Sequence, residues 1–118
     1  MLFRHVTLSV KDLDKSLNFY RDIIGLEITR RFSAGPEREI VFLGSGGTEV
    51  ELISGGAEAT VGTGISLGFE CESLQDIMDL LIEKGNEIDG DIVSPNPHTH
   101  FFFVKDPDGN RVQFINIV

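Results

Sequence analysis

Few side chains in this chain are equipped for chemistry: His5, His98 and His100, one cysteine at Cys71, and acids, arginines and amides spaced at alternate positions in strand-like segments. An imidazole and a carboxylate together can bind a divalent transition metal or move a proton. An amide or a guanidinium can hold a polar ligand. His98 and His100 are two apart and share a face if their strand is regular; they read first as a loop or strand-edge pair. Cys71 has no base near it in sequence, so nothing marks it as a nucleophile. Arg30, Arg31 and Arg38 form the only basic cluster. A solvated surface patch is the favoured reading of it, ahead of an anion clamp.

Two runs of elements must position these groups. In the first, a strand over roughly 3–10 alternates Val6, Leu8 and Val10 with His5, Thr7 and Ser9. A helix over roughly 12–24 follows, capped by Asp12. Leu13, Leu17, Tyr20 and Ile24 form its apolar stripe, and Gly25 is placed to end it. Tyr20 reads as a stripe residue with a wet hydroxyl. Strands are expected near 26–32, 38–43 and 48–54, the last two joined by a turn at Gly44-Ser45-Gly46-Gly47.

The second run repeats that order. A strand over 64–70 leads to a helix that opens on Ser73-Leu74-Gln75-Asp76, and Gly85 ends it. A short strand follows near 86–90, and then an irregular loop over 91–98 holding Pro95 and Pro97. Strands over 99–105 and 111–118 flank Asp106-Pro107-Asp108-Gly109-Asn110, where Gly109 suits a positive φ. His5-Val6-Thr7-Leu8 lies over Gly64-Ile65-Ser66-Leu67, and Glu49-Val50-Glu51-Leu52-Ile53 over Arg111-Val112-Gln113-Phe114-Ile115. Neither half alone could bury both its helix stripe and its sheet face, so one domain of two halves, about 1–56 and 62–118, is expected.

Four strands thus carry one apolar face, including Val50, Leu52, Val112 and Phe114, that should pack on the helices. The other face carries His5, Thr7, Ser9, Glu49, Glu51, Gly64, Ser66, Gly68, Arg111 and Gln113. Periodicity alone favours plain solvent against that face, with a ligand cup as the alternative.

At 118 residues the chain fits a single domain with a modest core. A net charge of −9 repels phosphate backbones and anionic membranes, so nucleic acid is not an expected partner. No apolar run reaches the length of about 18 residues that a membrane span needs. Met1 to His5 do not resemble a secretory leader, and a single cysteine fits a reducing, cytoplasmic setting.

The opening His5-Val6-Thr7-Leu8-Ser9-Val10-Lys11-Asp12-Leu13-Asp14-Lys15-Ser16-Leu17-Asn18-Phe19-Tyr20, with Ile24-Gly25-Leu26, resembles that of vicinal oxygen chelate proteins. So does the closing Phe103 to Ile115. This superfamily includes glyoxalase I, bleomycin-resistance proteins and extradiol dioxygenases, and the likeness covers essentially the whole chain. It implies an α+β fold of two tandem βαβββ modules, forming a curved, half-barrel mixed sheet with helices on the outer face. It also implies four ligand positions around a metal cavity, held here by His5, Glu51, Gly64 and Gln113. Gly64 departs from the histidine common there, and His100 is a possible substitute ligand.

The resemblance points to a glyoxalase-I-like lyase or isomerase. A divalent ion (Ni, Zn, Mn or Fe) would chelate two adjacent substrate oxygens, and Glu51 would shuttle a proton. Thr7, Ser9, Ser66 and Arg111 would contact the substrate. Glutathione-using relatives commonly carry arginine four residues after the first ligand, where this chain has Ser9, and an Asn-Trp-Gly stretch after the second. This chain has no tryptophan. Lactoylglutathione is therefore not the expected substrate. The alternative is a metal-free small-molecule binding protein of the bleomycin-resistance type, which Gly64 favours. A homodimer is implied in either case.

Overall fold

The computed structural model describes residues 1–55 and 64–118. The junction expected between the halves lies outside them. Contacts along the chain divide it into two units, Met1–Thr60 and Val61–Val118.

The first unit runs β1 (His5–Val10), α1 (Leu13–Leu17), a π-helical stretch (Asn18–Ile23), β2 (Glu27–Ser33), β3 (Glu39–Gly44) and β4 (Glu49–Ser54). The strands lie in the order β1-β4-β3-β2. β1 is parallel to β4, and the remaining pairs are antiparallel. Asp12 caps α1 as expected, its carboxylate accepting the Lys15 amide at 3.1 Å. The helix does not continue as one α-helix to residue 24. From Asn18 it widens into π winding, with the Ile24 amide bonded to the Phe19 carbonyl at 3.0 Å. That winding buries Phe19, Tyr20 and Ile23 together with Leu17. Tyr20 is fully buried and is not the wet stripe residue expected. Gly25 then turns the chain at φ +92°, a conformation that a Cβ would strain.

The second unit runs β5 (Ser66–Glu70), α2 (Leu74–Glu83), β6 (Ile88–Asn96), β7 (Thr99–Lys105) and β8 (Arg111–Ile117), with strand order β5-β8-β7-β6. β5 is parallel to β8, and the other pairs are antiparallel. The Ser73 hydroxyl caps α2 through the Asp76 amide at 3.2 Å. Phe102, Val104, Val112 and Phe114 are buried on the sheet, and Leu74 and Leu81 on the helix.

The segment 91–98 is not a loop for most of its length. β6 extends through Pro95 to Asn96, with two breaks in register against β7. It is an edge strand, and there the missing amide of Pro95 costs no ladder bond on the open side. The following β7–β8 turn is built on Asp106. Its carboxylate accepts the amides of Asp108 at 2.9 Å and Asn110 at 2.8 Å, and the Asn110 side chain at 2.9 Å.

The architecture is therefore α+β, with two βαβββ units that each form an open, four-stranded mixed sheet. Among the described residues no helix is long and apolar enough to cross a membrane.

Candidate functional site

Strand register in the first unit places four side chains in one row across the sheet. Thr7 on β1 pairs with Glu51 on β4, Glu51 with Phe42 on β3, and Phe42 with Arg30 on β2. Directly opposed residues share a face. Glu51 and Thr7 therefore stand on the face opposite the buried Val50 and Leu52. His5 lies two positions from Thr7 on the same face.

Side-chain geometry tightens the row. His5 Nε2 lies 3.4 Å from Glu51 Oε1. The Thr7 hydroxyl donates to that same oxygen at 2.5 Å. The Glu51 side chain is 13 % exposed and that of His5 36 %, so the acid is sheltered while the imidazole stays accessible. His5 also sets its ring edge against Phe42, with centroids 5.4 Å apart at 83°. Two ligand atoms at about 2.1 Å from a tetrahedral ion stand about 3.4 Å apart. The imidazole nitrogen and the carboxylate oxygen thus already have the spacing of two donors to one ion.

Thr7, expected at a substrate contact, spends its hydroxyl proton on Glu51. Ser9 is exposed two residues further along β1. Glu49, opposite His5, is engaged by the hydroxyl of Thr29.

In the second unit, Gln113 on β8 pairs with Gly68 on β5 and Phe103 on β7. A Cβ at residue 68 would stand 3.4 Å from Gln113 Oε1, in ordinary contact with it. Arg111, one pleat away and opposite Ser66, holds its guanidinium 3.6 Å from the Phe103 centroid. Gly64 lies ahead of β5 rather than within it, and among the described residues a Cβ there would meet nothing within 4 Å.

The register of β7 and β8 puts Phe103, Gln113, Phe101 and Ile115 on one face. His100 pairs with Asn116 on the other, beside Phe102 and Phe114. Its Nδ1 is engaged by the Ser94 hydroxyl at 2.7 Å. His100, the expected substitute ligand, and Gln113 therefore stand on opposite faces of this sheet. His98 precedes β7, its carbonyl accepting the Val118 amide. Burial pushes the Cys71 thiol above its usual range, with Glu70 adding to the shift, so the thiol is disfavoured as a nucleophile. Among the described residues no group of three or more His, Cys, Asp or Glu is gathered as a metal site.

Sequence reasoning missed Phe42, and met Arg30 only as a member of the basic cluster, not as a neighbour of Glu51. β3 is apolar on both faces, so alternation does not reveal which residue turns toward Glu51. A bulge between Ile28 and Arg30 shifts the parity of β2 and hides Arg30. The pairing of β3 with β4 was the usable signal, because it aligns Phe42 with Glu51.

A family model described as Glyoxalase/Bleomycin resistance protein/Dioxygenase superfamily matches residues 2–114. The chain belongs to this superfamily. Among curated relatives, this superfamily member is 30 % identical to a probable lactoylglutathione lyase of Synechocystis, over 98 % of this chain and 95 % of the relative. It is 28 % identical to a lactoylglutathione lyase of Haemophilus influenzae, over 98 % and 92 %. Among solved structures, its fold resembles the trypanothione-dependent glyoxalase I of Leishmania major, with a TM-score of 0.83 at 24 % identity over 98 % of this chain and 86 % of that one. It also resembles a glyoxalase family protein of Bacillus cereus, with a TM-score of 0.86 at 17 % identity over 100 % and 95 %. At those identities the structural likeness speaks for the glyoxalase fold.

Proposed function

We propose that this glyoxalase-superfamily chain is a metal-dependent lyase or isomerase that moves a proton next to a carbonyl in a small substrate with two neighbouring oxygens. The observation that carries this reading is the 3.4 Å approach of His5 Nε2 to Glu51 Oε1 on one sheet face. The relatives named lactoylglutathione lyase support the reaction class.

His5, Glu51 and Gln113 are the proposed ligands: a neutral imidazole, a carboxylate and an amide oxygen, a donor set suited to Ni, Zn, Mn or Fe in the divalent state. Such an ion would supply Lewis acidity to the substrate oxygens as negative charge develops on them. Thr7 and His5 both engage Oε1 of Glu51 and fix the carboxylate plane. Oε2 has no hydrogen-bond partner among the described residues and is the atom assigned to take and return the proton. Ser66 and Arg111 on the second unit, and Ser9 on the first, are assigned to substrate contact. Ser9 stands where glutathione-using relatives commonly carry arginine, and the chain has no tryptophan, so an adduct other than lactoylglutathione is the proposed substrate. Homodimeric assembly and a cytoplasmic setting belong to the same reading.

Gly64 favours a second reading, a metal-free binding protein, because it withholds a donor where relatives place one. Assays of methylglyoxal hemithioacetals, formed with glutathione and with smaller thiols, separate the two in the presence of each candidate metal. Metal-dependent turnover lost in Glu51→Gln, and no better with glutathione than with the smaller thiols, is the expected result. No turnover of any adduct with any metal would favour the binding protein.

A further inference from the structure

We propose that Arg30 is a carboxylate-binding group of the same site, which makes the substrate a small carboxylic acid or its derivative; this rests on the placement of the reaction at Glu51. Arg30 ends the row Thr7–Glu51–Phe42–Arg30, so it shares a face with the proposed base. Its guanidinium carbon sits 4.2 Å from the centroid of Phe42 and 5.9 Å from that of Phe32, and those two rings stack at 6.4 Å. Phe42 thus carries the guanidinium at 4.2 Å and the His5 imidazole, centroid to centroid, at 5.4 Å. Cation and imidazole thus lean on one ring of the same sheet face.

The other arginines of β2 and the preceding helical turn are neutralised. Arg31 is paired with Glu39, and Arg21 with Asp22 at 2.9 Å. Arg30 has no ion pair and no hydrogen bond among the described residues. Aromatic rings hold it in place without using its N–H donors, which leaves the planar fork free for a bidentate acceptor. Arg30 is exposed, and its guanidinium lies beside two rings on the face that bears the acid and the imidazole. Glu51 in the same row and Glu49 on the same strand add negative charge nearby, which sets a limit on the ligand's charge. A monoanionic carboxylate meets less repulsion there than a phosphate dianion.

Titration of isotope-labelled protein, as purified, tests this directly. The probes are glycolate, its uncharged amide glycolamide, and inorganic phosphate, with the Arg30 Nε–H resonance and the Phe42 amide as reporters. Glycolate is expected to shift both at millimolar concentration, phosphate to act more weakly and glycolamide to have no effect. Arg30→Met, which keeps the apolar stem on the rings, should weaken glycolate at least tenfold, and Arg30→Lys should lie between. Binding should persist in Glu51→Gln, so the carboxylate site stands or falls separately from the metal and proton chemistry. Unchanged glycolate affinity in Arg30→Met, equal binding of glycolamide, tighter binding of phosphate, loss of glycolate binding in Glu51→Gln, or no binding by the wild type would each overturn the assignment.

Discussion

Thr7 and Glu51 face each other across a parallel ladder, and the threonine hydroxyl donates to Oε1 of the acid at 2.5 Å. The bond fixes which carboxylate oxygen turns toward His5. Thr7→Val keeps the shape of the side chain and removes the donor. It should cost about 1 kcal/mol or less in stability, because the site is partly open. Metal affinity should fall by about 10- to 100-fold, as expected on losing a group that orients a ligand. Calorimetric titration of a divalent metal checks this, and an unchanged affinity would remove Thr7 from the site.

Restoring a donor at Gly64 should strengthen metal binding. The backbone there is free of positive-φ strain, and a Cβ would meet no described residue within 4 Å. Gly64→His should therefore fold normally and raise affinity by about tenfold or more, since imidazole is a strong ligand for the metals considered. Equal affinity in the variant would show that residue 64 is turned away from the ion.

Cys71 gives a pH test unrelated to the metal. Burial, with Glu70 behind it, raises the thiol pKa in the folded chain. The folded state thus holds this proton more tightly than the unfolded state. Its contribution to stability is present at pH below the unfolded thiol's pKa and is lost as pH rises through the folded one. Alkylation by iodoacetamide should show its midpoint at higher pH in the native protein than in the urea-unfolded chain. Coincident midpoints would contradict the burial argument.

The β7–β8 turn should be the most sensitive polar site in the second unit. Asp106 is 5 % exposed and accepts three hydrogen bonds from Asp108 and Asn110. Asp106→Ala leaves two amides without their acceptor and should cost about 1–3 kcal/mol. Denaturant melts check the value, and a change within error would mean that the turn re-forms around water.

Much of this molecule is legible in its sequence because alternation and capping are local signals. Val6, Leu8 and Val10 against His5, Thr7 and Ser9 place β1 and its faces, and Asp12 and Ser73 mark the helix starts. What stayed hidden depended on pairing between strands. Pro95 made β6 look like a loop, because a proline is tolerated in a strand only at an edge, and edge position is a property of the sheet. The π winding at Asn18–Ile23 uses apolar residues that an α-helix would also carry, so residue type does not announce it. The shared face of His5 and Glu51 follows from alternation plus one register, while the approach of Arg30 to Phe42 needs a bulge that no residue type announces.

The proposed chemistry requires His5 and Glu51 to act together as a metal-binding unit. The direct measurement is metal stoichiometry after dialysis of untagged protein against nickel, zinc, manganese or iron, in the wild type, His5→Ala and Glu51→Ala. One equivalent of at least one metal is expected in the wild type, and its loss in both variants. A wild type that retains no metal, or variants that retain as much as the wild type, would contradict the proposed chemistry.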